Sequence, residues 1–226
     1  MAGASSFLQS RQPEQVFTIG GDCSVDLAPM SYLRWRYPKL LVAYIDAHAD
    51  LNAEWESPSG HFHGMSLRAL LGTAPEDLQP RVPLEAARLA LLGARELDSS
   101  EQVFVEKNEV RLLSTADLKV QDAAQVLVDM AGDGVVHVHL DLDVLDPVEF
   151  PHVNVPAEGG LSVQQLLRLL HSISAAFPGR ICGVTLTEFR PRGQVKGLDK
   201  LLESFMGPDG LDLAKQVASW RSVSRE

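Results

Sequence analysis

A chain of 226 residues, 45% hydrophobic and 22% charged, has the composition of a soluble globule, and its length suits a single domain spanning 1–226. The formal net charge of −10 argues against a nucleic-acid partner, which would need clustered Lys and Arg, and no stretch approaches the ~18 consecutive apolar residues of a membrane span. Two cysteines, Cys23 and Cys182, are too few for a disulfide framework. The first residues carry no charged segment followed by an apolar run, so the expected setting is a reducing cytoplasm.

Short apolar runs recur along the chain. VFTIGG from Val16 and LLVAYIDA from Leu41 are nearly continuous, as expected of strands buried on both faces. RLALLGAR from Arg88, VRLLS from Val110, VVHVHLDLD from Val135 and ICGVTLTEF from Ile181 are the further strand candidates. Helical patterns lie between them: Ala116–Ala131, Ser162–Phe177 and Leu211–Trp220. In the second, Leu166, Leu167, Leu169, Leu170 and Ile173 share a face, Ser162 is the expected N-cap, and Pro178-Gly179 is the stop. Strands alternating with helices predict an α/β fold on a mostly parallel sheet. The polar loops Asn52–Gly64 and Asp146–Gly160 each follow a strand, where open parallel sheets place their ligands.

Two segments carry chemistry: DAHAD at Asp46–Asp50 and HLDLD at His139–Asp143. In extended chain, alternate residues share a face, so Asp46, His48 and Asp50 would point together, as would Asp141 and Asp143. Four carboxylates and an imidazole at the ends of buried strands are untenable without counter-charge. Divalent cations supply it, and an excess of carboxylates over histidines suggests two bridged metals with an activated water between them. His137 and His139 lie earlier on the same strand and are expected to be hydrogen-bonded core residues or supports for the ligands. His171 and Cys182 are expected to be structural. Either a surface position or a substrate contact fits His61 and His152.

These residues and their surroundings resemble the arginase and agmatinase (ureohydrolase) family, with loops closest to arginase. The matching blocks are GGDCS (Gly20–Ser24), DAHADLN (Asp46–Asn52), SGHFHG (Ser59–Gly64), DLDVLDP (Asp141–Pro147), GGLS (Gly159–Ser162) and TEFRP (Thr187–Pro191), in the family's order. The resemblance implies a three-layer α/β/α fold and a manganese-dependent hydrolase of arginine metabolism. It also implies a homo-oligomer, trimer or hexamer. About 19 residues precede the GGD block, where family chains carry several tens, so the chain is expected to lack the family's N-terminal segment.

Carried over by position, Asp46 and Asp141 would bridge two Mn²⁺ ions, His48 and Asp143 would complete one shell, and Asp50 the other. The family's GGD block continues with a histidine ligand. Here that position is Cys23, a softer ligand that would favour Zn²⁺ or Fe²⁺. The other reading of Cys23 is a small buried residue that leaves one metal short of a ligand. His63 resembles the proton-carrying histidine, and Glu188 the acid that holds the guanidinium. Asn52 and Ser59 stand where arginases address the substrate carboxylate, and Asp98 and Glu101 where they address the α-amino group. His61 replaces the usual Asn, and Val155 replaces a hydroxyl. An N-cap role for Asp98, ahead of a helix starting near Ser99, is the competing reading. The expected reaction is hydrolysis of arginine to ornithine and urea. Agmatine, other guanidino acids, formiminoglutamate, or a metal-poor and weakly active homologue are the alternatives.

Overall fold

The computed structural model describes residues 2–119, 121–193, 198–208 and 210–213. Six strands are present where the apolar runs predict them: β1 (Val16–Ile19), β2 (Leu41–Ile45), β3 (Leu89–Leu92), β4 (Arg111–Leu113), β5 (Val136–Asp141) and β6 (Ile181–Thr187). All pair in parallel, in the order β1-β6-β5-β2-β3-β4. Four strands, β2, β3, β5 and β6, are buried along their whole length because both faces of the sheet are covered. The edge strand β1 departs from that expectation: Phe17 and Ile19 are exposed, since only β6 flanks it and nothing described packs over its outer residues.

Strand alternation sorts the core into two halves. Leu41, Ala43 and Ile45 of β2 and Val136, Val138 and Leu140 of β5 face one side. There they meet α5 (Ala123–Ala131) through Leu127, and α6 (Val163–Ala176) through Leu166, Leu170 and Ile173. Val42 and Tyr44 face the other side, with α2 (Leu27–Arg36) and α3 (Ser66–Leu70). Leu8 of α1 (Ala2–Arg11) and Val105 of α4 (Ser99–Lys107) join that half. The result is the three-layer α/β/α arrangement. A further helix, α7 (Leu198–Met206), packs near α6. Among the described residues, no helix is long and apolar enough to cross a membrane.

Two helix expectations need correction. The Ala116–Ala131 pattern divides into a 3-10 turn at Asp117–Lys119 and the helix α5, because Asp122 N-caps Ala123 by accepting from the Gln125 N–H at 3.2 Å. Most of Leu211–Trp220 lies outside the described residues. The α6 pattern appears as expected, with Ser162 and Gln165 forming a capping box and the helix ending at Phe177.

The central strands β2 and β5 are followed by helices on opposite faces, α3 on one and α6 on the other. The crevice between their carboxyl ends is the topological switch point, the place where such sheets hold ligands. One irregularity tunes it. Val136 pairs with Ile181 but His137 pairs with Gly183, so β6 carries an extra residue at Cys182. Beyond this bulge His139 lies beside Thr185, and Asp141 beside Thr187.

Candidate active site

The aspartates stand at strand ends, but not by simple alternation. β2 stops at Ile45, so Asp46–Asp50 is loop, and Asp50 has a left-handed backbone with φ 52°. β5 stops at Asp141, and a 3-10 turn over Leu142–Val144 carries Asp143 across toward β2. The expectation that Asp46, His48 and Asp50, or Asp141 and Asp143, share one strand face is therefore wrong. The carboxylates themselves end the strands: Asp141 Oδ1 accepts the Asp143 N–H at 2.7 Å, and Asp46 Oδ1 accepts the His48 N–H at 2.7 Å. Such local bonds compete with the ladder and form turns instead.

The same bonds orient the site. Asp143 Oδ1 accepts the Ala47 N–H at 3.1 Å, leaving Oδ2 3.0 Å from His48 Nδ1. Asp46, His48 and Asp143 form one group of mutually close donors. Cys23, Asp46, His139 and Asp141 form a second, with Asp46 common to both. Cys23 Sγ donates to Asp141 Oδ2 at 3.0 Å and lies 3.8 Å from Asp46 Oδ2. Asp50 stands beside these groups; its Oδ2 accepts from the Tyr44 hydroxyl at 2.6 Å and the Ser66 hydroxyl at 3.3 Å.

Burial dominates the electrostatics. Desolvation, together with Asp143 and neighbouring carboxylates, pushes Asp46 and Asp141 well above the usual carboxylate range, and desolvation raises Asp50. Burial also raises the Cys23 thiol, and three nearby aspartates add to it. Burial opposes charge on His48, but Asp143 and Asp46 outweigh it and push the imidazole up to about 11. Among the described residues, the only basic side chains within 4 Å of these carboxylates are the imidazoles of His48 and His139. Buried acids this poorly compensated, with oxygens of Asp46, Asp141 and Asp143 gathered in two close donor groups, fit divalent cations.

A cavity of about 390 Å³ opens over both groups. His63 and Glu188 meet there, with Nδ1 and Oε1 3.4 Å apart. Glu188 raises the His63 pKa against the opposing effect of burial. Glu188 also has a left-handed backbone, φ 59°, and among the described residues its buried Oε1 has only the 3.4 Å ion-pair contact with His63 and no well-formed hydrogen bond. Strained backbone and a buried acid with spare acceptor capacity together are features of ligand sites.

The expected head-group residues also line this cavity, though some are already engaged. Asn52 donates to Asp98 Oδ2 at 2.7 Å and accepts from the Ser100 hydroxyl at 2.7 Å. Both Glu101 oxygens accept backbone N–H groups, from Leu51 and Asp98, each at 2.8 Å. Asp98 is the N-cap residue of α4, as the competing reading expects, and it also lines the cavity. Ser59, His61 and Val155 line the outer part. His152 instead accepts the Arg192 N–H at 3.2 Å and packs edge-on to Phe150.

Three contributors have no signature in the sequence. Arg95 donates to the carbonyls of Asp143, Ala157 and Glu158 at 2.8–2.9 Å, tying the loop after β5 to the site. Tyr44 holds Asp50 and stacks on His139, with centroids 4.0 Å apart. Asp26 binds His137 and His139, each at 2.9 Å. Only the shared parity of His137, His139 and Asp141 hinted at the last.

The family model described as Arginase family matches residues 3–200. The chain belongs to the arginase family. It is 34% identical over 165 residues to an arginase of Staphylococcus aureus (strain COL), covering 68% of this chain and 54% of that one. An arginase of Coccidioides immitis (strain RS) is 28% identical over 211 residues, covering 86% and 65%. The chain thus spans about half to two thirds of the length of these curated relatives. Among solved structures, an arginase from Bacillus caldovelox superposes with a TM-score of 0.82 at 25% identity, covering 93% of this chain and 72% of the other. Divalent metal binding is a property of the family, and the clustered donors provide for it here.

Proposed function

We propose that this chain is a binuclear metal-dependent amidinohydrolase that releases urea from a guanidino compound, with arginine to ornithine as its main reaction. The observation that supports it best is the juxtaposition, around one cavity, of two donor groups sharing Asp46 with the buried Glu188 carboxylate paired to His63. Cys23, Asp46, His48, Asp50, Asp141 and Asp143 are the proposed holders of two ions, Mn²⁺ first, with Zn²⁺ or Fe²⁺ favoured by the thiolate. When bound, the ions supply an activated water and positive charge opposite the charge that develops during hydrolysis.

The chain's own residues do the rest. Glu188 offers the fixed carboxylate that a planar guanidinium pairs with most strongly. His63, whose pKa Glu188 raises, donates a proton to the departing amine. Asp50, anchored by Tyr44 and Ser66, presents its remaining oxygen to the water. Asp98, positioned by Asn52, receives the α-amino group, and Ser59 and His61 meet the carboxylate end.

One observation favours a second reading. Asn52 and Glu101 are already engaged, and Val155 adds an apolar wall, which suits a substrate without the amino-acid head, such as agmatine or guanidinobutyrate. The test is kcat/KM for arginine, agmatine and guanidinobutyrate on metal-loaded protein. Arginine is expected to lead, because a site with polar groups placed for a substrate's own polar atoms rejects analogues lacking them. Agmatine turned over at least as well assigns the second reading. The trimeric or hexameric state expected of the family belongs to the same proposal and is checked by analytical ultracentrifugation.

A further inference from the structure

We propose that His139 is itself a metal ligand, completing with Cys23, Asp46 and Asp141 a thiolate–imidazole–carboxylate subsite that takes Zn²⁺, Fe²⁺ or Co²⁺ in preference to Mn²⁺. The inference rests on the reading of this cavity as a metal centre and specifies one of its two donor sets.

The turn that should bring an imidazole to the site brings a thiol instead. Cys23 and Asp26 open and close a 3-10 turn, where residues three apart stack on one side, so both face β5 and β6. Cys23 thereby reaches the carboxylates, and Asp26 reaches the histidines of β5. The imidazole missing from the turn returns from the strand.

Every contact of His139 prepares it for this role. Its Nδ1 lies 2.9 Å from Asp26 Oδ2, and with the proton on Nδ1, the tautomer a carboxylate at that position favours, the Nε2 lone pair is turned to the donor side. Asp26 is itself held, accepting from the Thr185 hydroxyl at 2.7 Å and bonding His137 Nε2 at 2.9 Å. Tyr44 stacks nearly parallel on the ring, at an interplanar angle of 6°, and sets its plane. Nε2 then points among the donors, 4.0 Å from Asp46 Oδ2, with the Thr187 hydroxyl at 3.3 Å. A carboxylate behind a histidine whose other nitrogen meets a metal is the usual support of such ligands.

The spacing is that of a shell about to close. Four donors around Zn²⁺ at about 2.0–2.3 Å stand roughly 3.3–3.6 Å from one another. Here the donor atoms lie within 4.8 Å of each other, with separations of 3.0, 3.8 and 4.0 Å among Cys23, Asp141, Asp46 and His139. Thiolate and imidazole favour borderline and soft ions over Mn²⁺.

The test reads the shell directly, without activity. Full-length protein is stripped of metal and reloaded with Zn²⁺, and the X-ray absorption fine structure is recorded for wild type and His48→Ala. His48→Ala disables the other donor group, and its single remaining Zn²⁺ is expected to show one sulfur and one imidazole. Adding His139→Gln should remove the imidazole signal and weaken Zn²⁺ binding beyond the ~10–100-fold cost of losing a supporting partner. Asp26→Asn should fall within that range and keep both signals. A remaining ion with sulfur but no imidazole would overturn the assignment of His139 while leaving the metal centre intact. A chain binding no divalent ion would overturn both. Circular dichroism checks each variant, and the His48→Ala spectrum decides the question even if His139→Gln does not fold.

Discussion

Asp46, Asp141 and Asp143 each commit Oδ1 to a backbone N–H and turn Oδ2 toward the donor groups, so these side chains cannot swing away. Metal release is therefore expected to follow from removing a ligand rather than from loosening a loop. Asp46→Ala, which removes the donor common to both groups, should lose both ions together with urea release, as measured by metal analysis of the purified variant; retention of two ions with full turnover would sink the centre. His63 should behave differently. His63→Asn should lower kcat by about 10²–10⁴-fold with metal content unchanged, as for a proton carrier. Because Glu188 raises the His63 pKa, Glu188→Gln should lower it, and an NMR titration of the metal-free protein reads this without catalysis. An unmoved titration would mean the two side chains do not couple.

At the scale of elements, the site depends on the phase between β5 and β6. The bulge at Cys182 places Gly183 opposite His137, and a Cβ on Gly183 would stand 2.3 Å from His137 Nδ1 and 2.6 Å from Leu33 Cδ1. Gly183→Ala must displace the buried His137 ring and the Leu33 side chain of α2, at a cost of about 1–3 kcal/mol. Urea unfolding should show that loss, and the displaced His137–Asp26–His139 chain should weaken metal binding with it. A Gly183→Ala protein as stable as wild type would show that β6 has slack at this point. The same element scale explains the misplaced parity of Asp50 and Asp143. Alternation holds while the ladder lasts, and here the aspartates end the ladder.

For the molecule as a whole, metal and proton compete to make one end of the sheet tolerable. In the metal-free protein, Asp46, Asp141 and Asp50 titrate above their unfolded values, so the native state binds more protons than the unfolded state above pH ~4. Stability then falls as pH rises. His48, raised to about 11, contributes stability that is complete below its unfolded value near 6.5 and is lost as pH rises toward 11, the same direction. Asp26, held below the carboxylate range by His137 and His139 despite burial, acts only below pH ~4. The Tm of metal-free protein should therefore decline from pH 5 to pH 9. Saturating divalent metal should reverse the trend at neutral pH, by about 2.7 kcal/mol at a free concentration 100 times Kd. A metal-free Tm that rises across this range would contradict the buried-acid account.

The six strands, the α6 cap and the acidic blocks were all readable in the sequence, because periodicity and turn chemistry are local. So was the family, since DAHADLN, DLDVLDP and TEFRP keep their order and composition. What only the tertiary structure decided was which atoms meet. The i,i+3 geometry of the turn after β1 brings Cys23 and Asp26 to one place, and the one-residue bulge in β6 aligns Thr185 and Thr187 with His139 and Asp141. Asp26, Tyr44 and Arg95 carry no motif, and their roles come from contacts over dozens of residues of chain. A sequence records which donors are present. Their grouping into Asp46–His48–Asp143 and Cys23–Asp46–His139–Asp141 follows from strand register, which hydrogen bonding between distant segments sets.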